Sequence, residues 1–336
     1  MKKTFSIILL CITILSTFTL FSCGNNSTDT ETQNEGYKVA LDLTEEWNKN
    51  SNGTELVQGC LVVRREFAEK YPETVASFLN EYKASIEFTN SNPNEAGAMI
   101  SDAKILPNKA VAIMAIPNCN IAYMDGNEMK ASMSAFLEAM YSVAPASIGN
   151  ALPNDDFYYQ ISNSTGTADK INVATLNGTT GFGMAKLISD NKNNEKFNFS
   201  VESDPTKIIA GLSNGSIDIA ALPTNAASNV YNKTNGKIQV AAINTLGVLY
   251  VLDKTNEINS LEDLNGKTIY CPAQNPTFIL KYILEVNNIN ATIDSTTYSS
   301  PDDLTEAAKA GLVNIAVLPE PKVSIVLSAG NWWKKY

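Results

Sequence analysis

Gly215-Ser-Ile-Asp-Ile-Ala-Ala-Leu-Pro223 and Gly311-Leu-Val-Asn-Ile-Ala-Val-Leu-Pro319 are the stretches that decide the fold. Slid over itself by 96 residues without gaps, the chain aligns these nine positions with five identities. The same offset sets Ser203-Asp204-Pro205 on Ser299-Ser300-Pro301, Phe182 on Phe278 and Val173 on Ile269. A constant offset held through separate matches marks a repeated unit. The alternative is convergence on shared βα grammar, because Gly-x-hydrophobic-Asp is common after helices.

Each copy reads as the same run of elements. A short apolar strand (171–176; 268–271) enters a Gly/Pro/Asn/Thr loop and then a helix. A second strand follows (197–202; 292–298), then a helix with Pro205 or Pro301 in its first turn, where proline fits. A third strand (217–222; 313–318) ends in Leu-Pro. Strands alternating with helices imply parallel sheets covered on both faces, and two copies imply two α/β lobes. Between the copies, 239–252 is long enough for a strand and a crossing segment, and 37–43 and 56–65 read as further strands. Residues 72–140 are mostly helical by period, with Val75, Phe78, Leu79 and Tyr82 on one face.

The N-terminus sets an expected compartment. Lys2 and Lys3 precede an almost wholly apolar or hydroxylated run, Phe5 to Phe21, and Ser22-Cys23 follows, the pattern of a secretory signal (1–22). Leu20-Phe21-Ser22-Cys23 resembles a lipobox, although Phe21 is bulkier than usual, and this resemblance implies lipidation at Cys23. An uncleaved anchor, for which the run is slightly short, and a signal with an incidental cysteine are the alternatives. Residues 24–36 offer nothing apolar to bury and read as a flexible tether, so 23–36 would be a lipid-anchored linker. The expected location is the extracytoplasmic face of a bacterial cell membrane.

Removing 22 of the 336 residues leaves 314, enough for two lobes, and losing Lys2 and Lys3 takes the net charge from −10 to about −12. That balance argues against nucleic acid, which needs a basic face. The chain has no histidine, which removes the commonest general base and transition-metal ligand. Cys60, Cys119 and Cys271 are widely spaced and odd in number, so they read as buried free thiols rather than a disulfide or zinc pattern. The expectation is that the chain is not an enzyme.

Ligands of open parallel sheets bind outside the carboxyl ends of the strands, at helix N-termini. Four loops qualify: Asn177-Gly178-Thr179-Thr180-Gly181, Pro223-Thr224-Asn225, 272–277 with Gln274, Asn275 and Thr277, and Pro319-Glu320-Pro321. Thr245 is added to these candidate ligand-binding residues. The first loop lacks a nucleotide fingerprint and a P-loop lysine. Its alternative role is a helix cap that satisfies only its own backbone. Glu320 could bind a ligand amine or stabilise its own helix. Phe182, Phe278 and Tyr298 could stack on a ring or pack in the core. Arg64 and Arg65 are the only arginines, so a densely anionic ligand would be poorly served. These donors suggest a small polar heterocycle or a singly charged anion.

Ala174-Thr-Leu-Asn-Gly-Thr-Thr-Gly-Phe-Gly-Met-Ala-Lys-Leu187 resembles the opening of lipoprotein solute-binding components of ABC importers, of the nitrate/sulfonate/taurine and thiamine-precursor type. Residues 217–226, 244–250, 318–321, 57–67 and 115–121 are similar to further segments of that family. The resemblance implies a type II periplasmic-binding-protein fold, two Rossmann-like lobes around a hinged cleft. It also implies delivery of a small molecule to an ABC permease and its ATPase, and it implies no metal and no cofactor. A catalytic relative on the same fold, of the pyrimidine-synthase or dehydratase type, and a surface sensor are the rivals. The segments stand in a circularly permuted order, with the family's closing part first. The expected division is therefore 37–58 and 251–336 for lobe II, 59–159 and 170–250 for lobe I, and 160–169 as the linker of the old termini.

Overall fold

The computed structural model describes residues 36–51, 53–161 and 164–329. The expected signal, Cys23, all of the tether but its last residue, and the 330–336 tail lie outside the described residues. Among the described residues, no helix is long and apolar enough to cross a membrane.

The strands are β1 (Lys38–Asp42), β2 (Gly59–Arg64), β3 (Ile121–Met124), β4 (Ile171–Leu176), β5 (Phe197–Glu202), β6 (Ile219–Pro223), β7 (Ile238–Thr245), β8 (Leu249–Asp253), β9 (Thr268–Tyr270), β10 (Thr292–Asp294) and β11 (Ile315–Pro319). They form a six-stranded sheet, β3-β7-β2-β6-β4-β5, and a five-stranded sheet, β1-β8-β11-β9-β10. The two copies of the repeat supply β4–β6 and β9–β11, arranged alike as the parallel part of each sheet.

The sheets are mixed rather than wholly parallel. β2 runs antiparallel to β6 and β7, and β8 runs antiparallel to β11 and β1. The reason lies in the crossings. β1 leaves the five-stranded sheet for β2, and β7 leaves the six-stranded sheet for β8. A chain that departs from the carboxyl end of one sheet enters the next at its carboxyl end and must run backwards through it. Two mixed sheets joined in this way are compatible with a two-lobed periplasmic-binding-like fold.

Burial follows the two-residue period of strands. In β2, Cys60 and Val62 enter a central cluster while Leu61 and Val63 enter an outer one. In β8 and β11, Leu249, Val251, Ile315 and Val317 join the same central cluster, whereas Tyr250, Leu252, Ala316 and Leu318 face a second outer one. One apolar core is therefore shared by both sheets. Helices Leu43–Asn48, Gly126–Val143, Thr224–Lys233 and Asn275–Val286 contribute to it.

Two local readings are corrected. β10 ends at Asp294, short of Tyr298, because the Asp294 carboxylate accepts from Thr296 N and Thr297 N at 3.0 Å each and wraps the chain into a turn. The helical stretch 72–140 contains β3, four residues that pair irregularly with the edge of β7. Cys60, Cys119 and Cys271 are buried and free.

Candidate functional site

β7 ends at Thr245 and β8 begins at Leu249, leaving Leu246, Gly247 and Val248 to pass between the sheets. Four residue steps span about 14 Å at most, so the two sheets abut there. The ends that meet are the carboxyl ends of the parallel strands. Gly59 is opposite both Pro223 and Thr245, while Tyr250 is opposite Asp42 and Leu249 opposite Pro319.

The crossing is held by side chains from both sides. Gln58 N donates to Thr245 O (3.0 Å), and Gln58 Oε1 accepts from Val248 N (2.6 Å). Asn120 Nδ2 donates to Gly247 O (2.6 Å), and Glu320 N donates to Val248 O (2.9 Å). A Cβ on Gly247 would lie 2.1 Å from Thr44 Oγ1, so the crossing passes this close to the Leu43–Asn48 helix only because residue 247 is glycine. Thr44, Gln58, Asn118 and Asn120 were not among the candidate site residues, although Gln58, Asn118 and Asn120 lie in segments that resemble the family. A polar Gln58 inside the apolar run 56–63 was the one signal available.

Three helices begin around this junction. Thr224–Lys233 follows β6 directly, with Thr224 Oγ1 donating to Val57 O (2.8 Å) and Thr224 N to Gln58 O (3.2 Å). Leu43–Asn48 follows β1 directly, capped by Asp42 on Thr44 N (2.8 Å). Asn275–Val286 follows β9 after a short loop. Trp47 packs on Tyr282 with ring centroids 5.0 Å apart, and Asn50 bonds Asn287 at 3.2 Å. These two helices therefore run side by side in one direction, the second beginning about one turn before the first.

The sequence-derived candidates divide by whether the protein already uses their polar atoms. Thr245 Oγ1 donates to Asn244 Oδ1 (3.0 Å) and Thr277 Oγ1 to Pro272 O (2.8 Å), as Thr224 does to Val57. Thr180 O accepts from Asn244 Nδ2 (3.4 Å), which also donates to Tyr82 OH (3.0 Å). Gly178 has φ +85°, and a Cβ on Gly181 would lie 2.4 Å from Leu176 O. Thr179 opens the short helix, Asn177 and Gln274 are exposed, and Pro223 closes β6. Phe182 is core, Phe278 packs against the central cluster, and Tyr298 packs on Tyr270 at 5.8 Å. In contrast, Asn225 Oδ1 and Asn275 Oδ1 are buried without a hydrogen-bond partner, and so is Thr44 Oγ1. A buried unpaired acceptor is costly, and its persistence needs a reason.

Carboxylates, not cations, surround the junction. Glu320, 3 % exposed, accepts from Ser324 N (3.1 Å) and Ser324 Oγ (3.0 Å). Burial pushes its carboxyl up to about 7, against the opposing pull of the Ser324 and Asn118 hydrogen bonds. Tyr250 OH donates to Asn118 O (2.8 Å). Burial foremost, then Asp42 and Glu320, raises the Tyr250 phenol above its ordinary value. Lys and Arg are absent from 177–181, 223–225, 244–248, 271–277 and 319–321. Arg64 lies at the opposite end of β2, opposite Ile238, where it pairs with Asp218 (2.9 Å) and Glu66 (2.8 Å). Arg65 pairs with Asp156 at 3.1 Å.

A family model described as menaquinone biosynthesis matches residues 28–142. Among solved structures, the chain is similar to the crystal structure of an ABC transporter from Parabacteroides distasonis, with 27 % identity and a TM-score of 0.37. That match covers 48 % of this chain and 56 % of the other, so the chain spans little more than half that protein's length. No curated protein matches. The expectation that the chain is not an enzyme is overturned by the family match, which points to a biosynthetic, catalytic family. Absence of histidine is weak evidence against catalysis, since in proteins generally a carboxyl raised by burial can also exchange protons near neutrality.

Proposed function

We propose that the chain captures a small organic molecule at the junction of its two sheets, as the lipid-anchored solute-binding component of an ABC importer. The observation that carries this is the presence of buried acceptors without partners, Asn225 Oδ1 and Asn275 Oδ1, on the first turns of helices that begin at the junction. In this reading the lobes are 59–159 with 170–250, and 37–58 with 251–336, except that β8, from Leu249, already pairs in the second sheet, and they close about the two crossings. The permuted chain order and the Cys23 anchor belong to the same proposal. Support for the lobe boundaries comes from β1 pairing in the sheet of β9 while β2 pairs in the sheet of β4.

A second reading rests on the family match together with Glu320. A carboxyl held near neutrality beside the junction can give or take a proton from a bound molecule. Binding and conversion would then share one site.

One thermal-shift screen tests both readings, using pyrimidines, thiamine precursors, sulfonates, nitrate, amino acids and flavins. A ligand at a hundred times its dissociation constant adds about 2.7 kcal/mol of stability. The expected result is one stabilising class whose shift disappears in Thr180→Ala/Asn225→Ala. Compounds recovered unchanged favour capture, and conversion that stops in Glu320→Gln while the shift persists favours catalysis. A double variant that retains the full shift contradicts the proposed site.

A further inference from the structure

The charge and polarity of the junction narrow the ligand class, an inference that rests on the junction being a binding site. Asn225 is 9 % exposed and sits on the second residue of its helix, immediately beyond the clamp that Thr224 makes to Val57 and Gln58. The atom it leaves unpaired is an acceptor. Asn275, on the helix that follows β9, leaves the same kind of atom unpaired. Thr44 Oγ1, beside Gly247, is unpaired as well. Asp42, which caps Thr44 N, and Glu45 bring negative charge to bear on the Tyr250 phenol, and Glu320 adds a carboxyl that is neutral below about pH 7 and charged above it. The adjoining loops carry no Lys or Arg, and both arginines are engaged at the far end of β2.

Helix N-termini attract negative charge, so the opposite preference has to be weighed. An anion bound here would have only those partial charges. It would give up its hydration next to carboxylates and carbonyl oxygens, with no guanidinium or ammonium to pair it. A molecule that donates N–H groups satisfies the two orphaned acceptors and meets no like charge.

We infer that the junction selects an uncharged or cationic molecule that donates N–H groups, received by Asn225 Oδ1 from one sheet and Asn275 Oδ1 from the other, and that it rejects oxyanions. This excludes the anionic alternative left open by the sequence.

The test uses the full chain and matched probes: cytosine, nicotinamide and benzamidine against orotate, nicotinate, benzoate and inorganic phosphate. The donor probes are expected to raise the melting temperature and the anions to leave it unchanged. Asn225→Asp keeps an acceptor oxygen and removes the amide donor. The affinity of a stabilising donor probe should stay within about threefold in that variant and fall at least tenfold in Asn225→Ala. Without any ligand, Asn225→Ala should melt about 2–4 °C higher, because it deletes a buried unpaired acceptor. Stabilisation by an anion that Asn225→Asp abolishes would overturn the ligand class and leave the binding site standing. A panel in which neither class binds, with Asn225→Ala melting lower, would overturn both.

Discussion

Trp47→Ala is expected to lower the unfolding free energy by about 3–5 kcal/mol, the cost of truncating a large buried aromatic side chain. Trp47 is 3 % exposed and stands between Phe136 (ring centroids 6.0 Å apart) and Tyr282 (5.0 Å). It thereby joins the Gly126–Val143 helix to the Asn275–Val286 helix inside the core common to both sheets. Its indole Nε1 has no partner, however. Trp47→Phe removes that unpaired donor along with one ring, and the two effects oppose each other. The phenylalanine variant is expected within about 1 kcal/mol of the parent. Urea unfolding of the three proteins checks this, and equal losses for Ala and Phe would mean that the indole N–H is worth keeping.

Glu320 should make the chain lose stability as pH rises through neutrality. Its folded-state carboxyl is raised from 4.5 to about 7, so between those values the native state holds a proton that the unfolded state has released. Stability is then fully present below about pH 4.5, declines as pH rises, and is lost above about pH 7, by about 3 kcal/mol in all. Glu320→Gln keeps an acceptor for Ser324 and cannot ionise. Its stability relative to the parent should therefore improve by about that amount between pH 4.5 and 8. Parallel urea midpoints across that range would show that Glu320 is not held protonated. The depressed Asp253, fixed by backbone N–H of Ile258 (2.9 Å) and Thr255 (2.7 Å), acts in the opposite sense, but only at more acid pH.

The parts of the fold legible in the sequence were those written as repeated local grammar. Strand, loop, helix and Leu-Pro recur at one offset, and β4–β6 and β9–β11 occupy equivalent places in their sheets. The antiparallel strands were less legible because direction comes from the crossings, a tertiary fact, not from any pattern within β2 or β8. β3 was hidden because four residues between helices give too short a period to register.

The site shows the same division. Loops after strands were identifiable, and Asn225 and Asn275 lay among them. Whether a polar atom is spent on the protein or left over depends on neighbours distant in sequence. Thr224 is taken by Val57, and Asn120 by Gly247. Thr44 could not be singled out, since its place beside Gly247 depends on a contact some two hundred residues away. The missing histidine was weighed against catalysis, and the family match overturns that reading; that burial raises the Glu320 carboxyl is a property of the assembled junction and not of the local sequence.

The most direct test of binding between the sheets is amide hydrogen exchange, with and without the most strongly stabilising compound. One compound is expected to protect residues 223–227 and 275–279 together, along with the 245–249 crossing. Protection confined to one sheet, or centred on the far strand ends near Arg64 and Gln239, would contradict it.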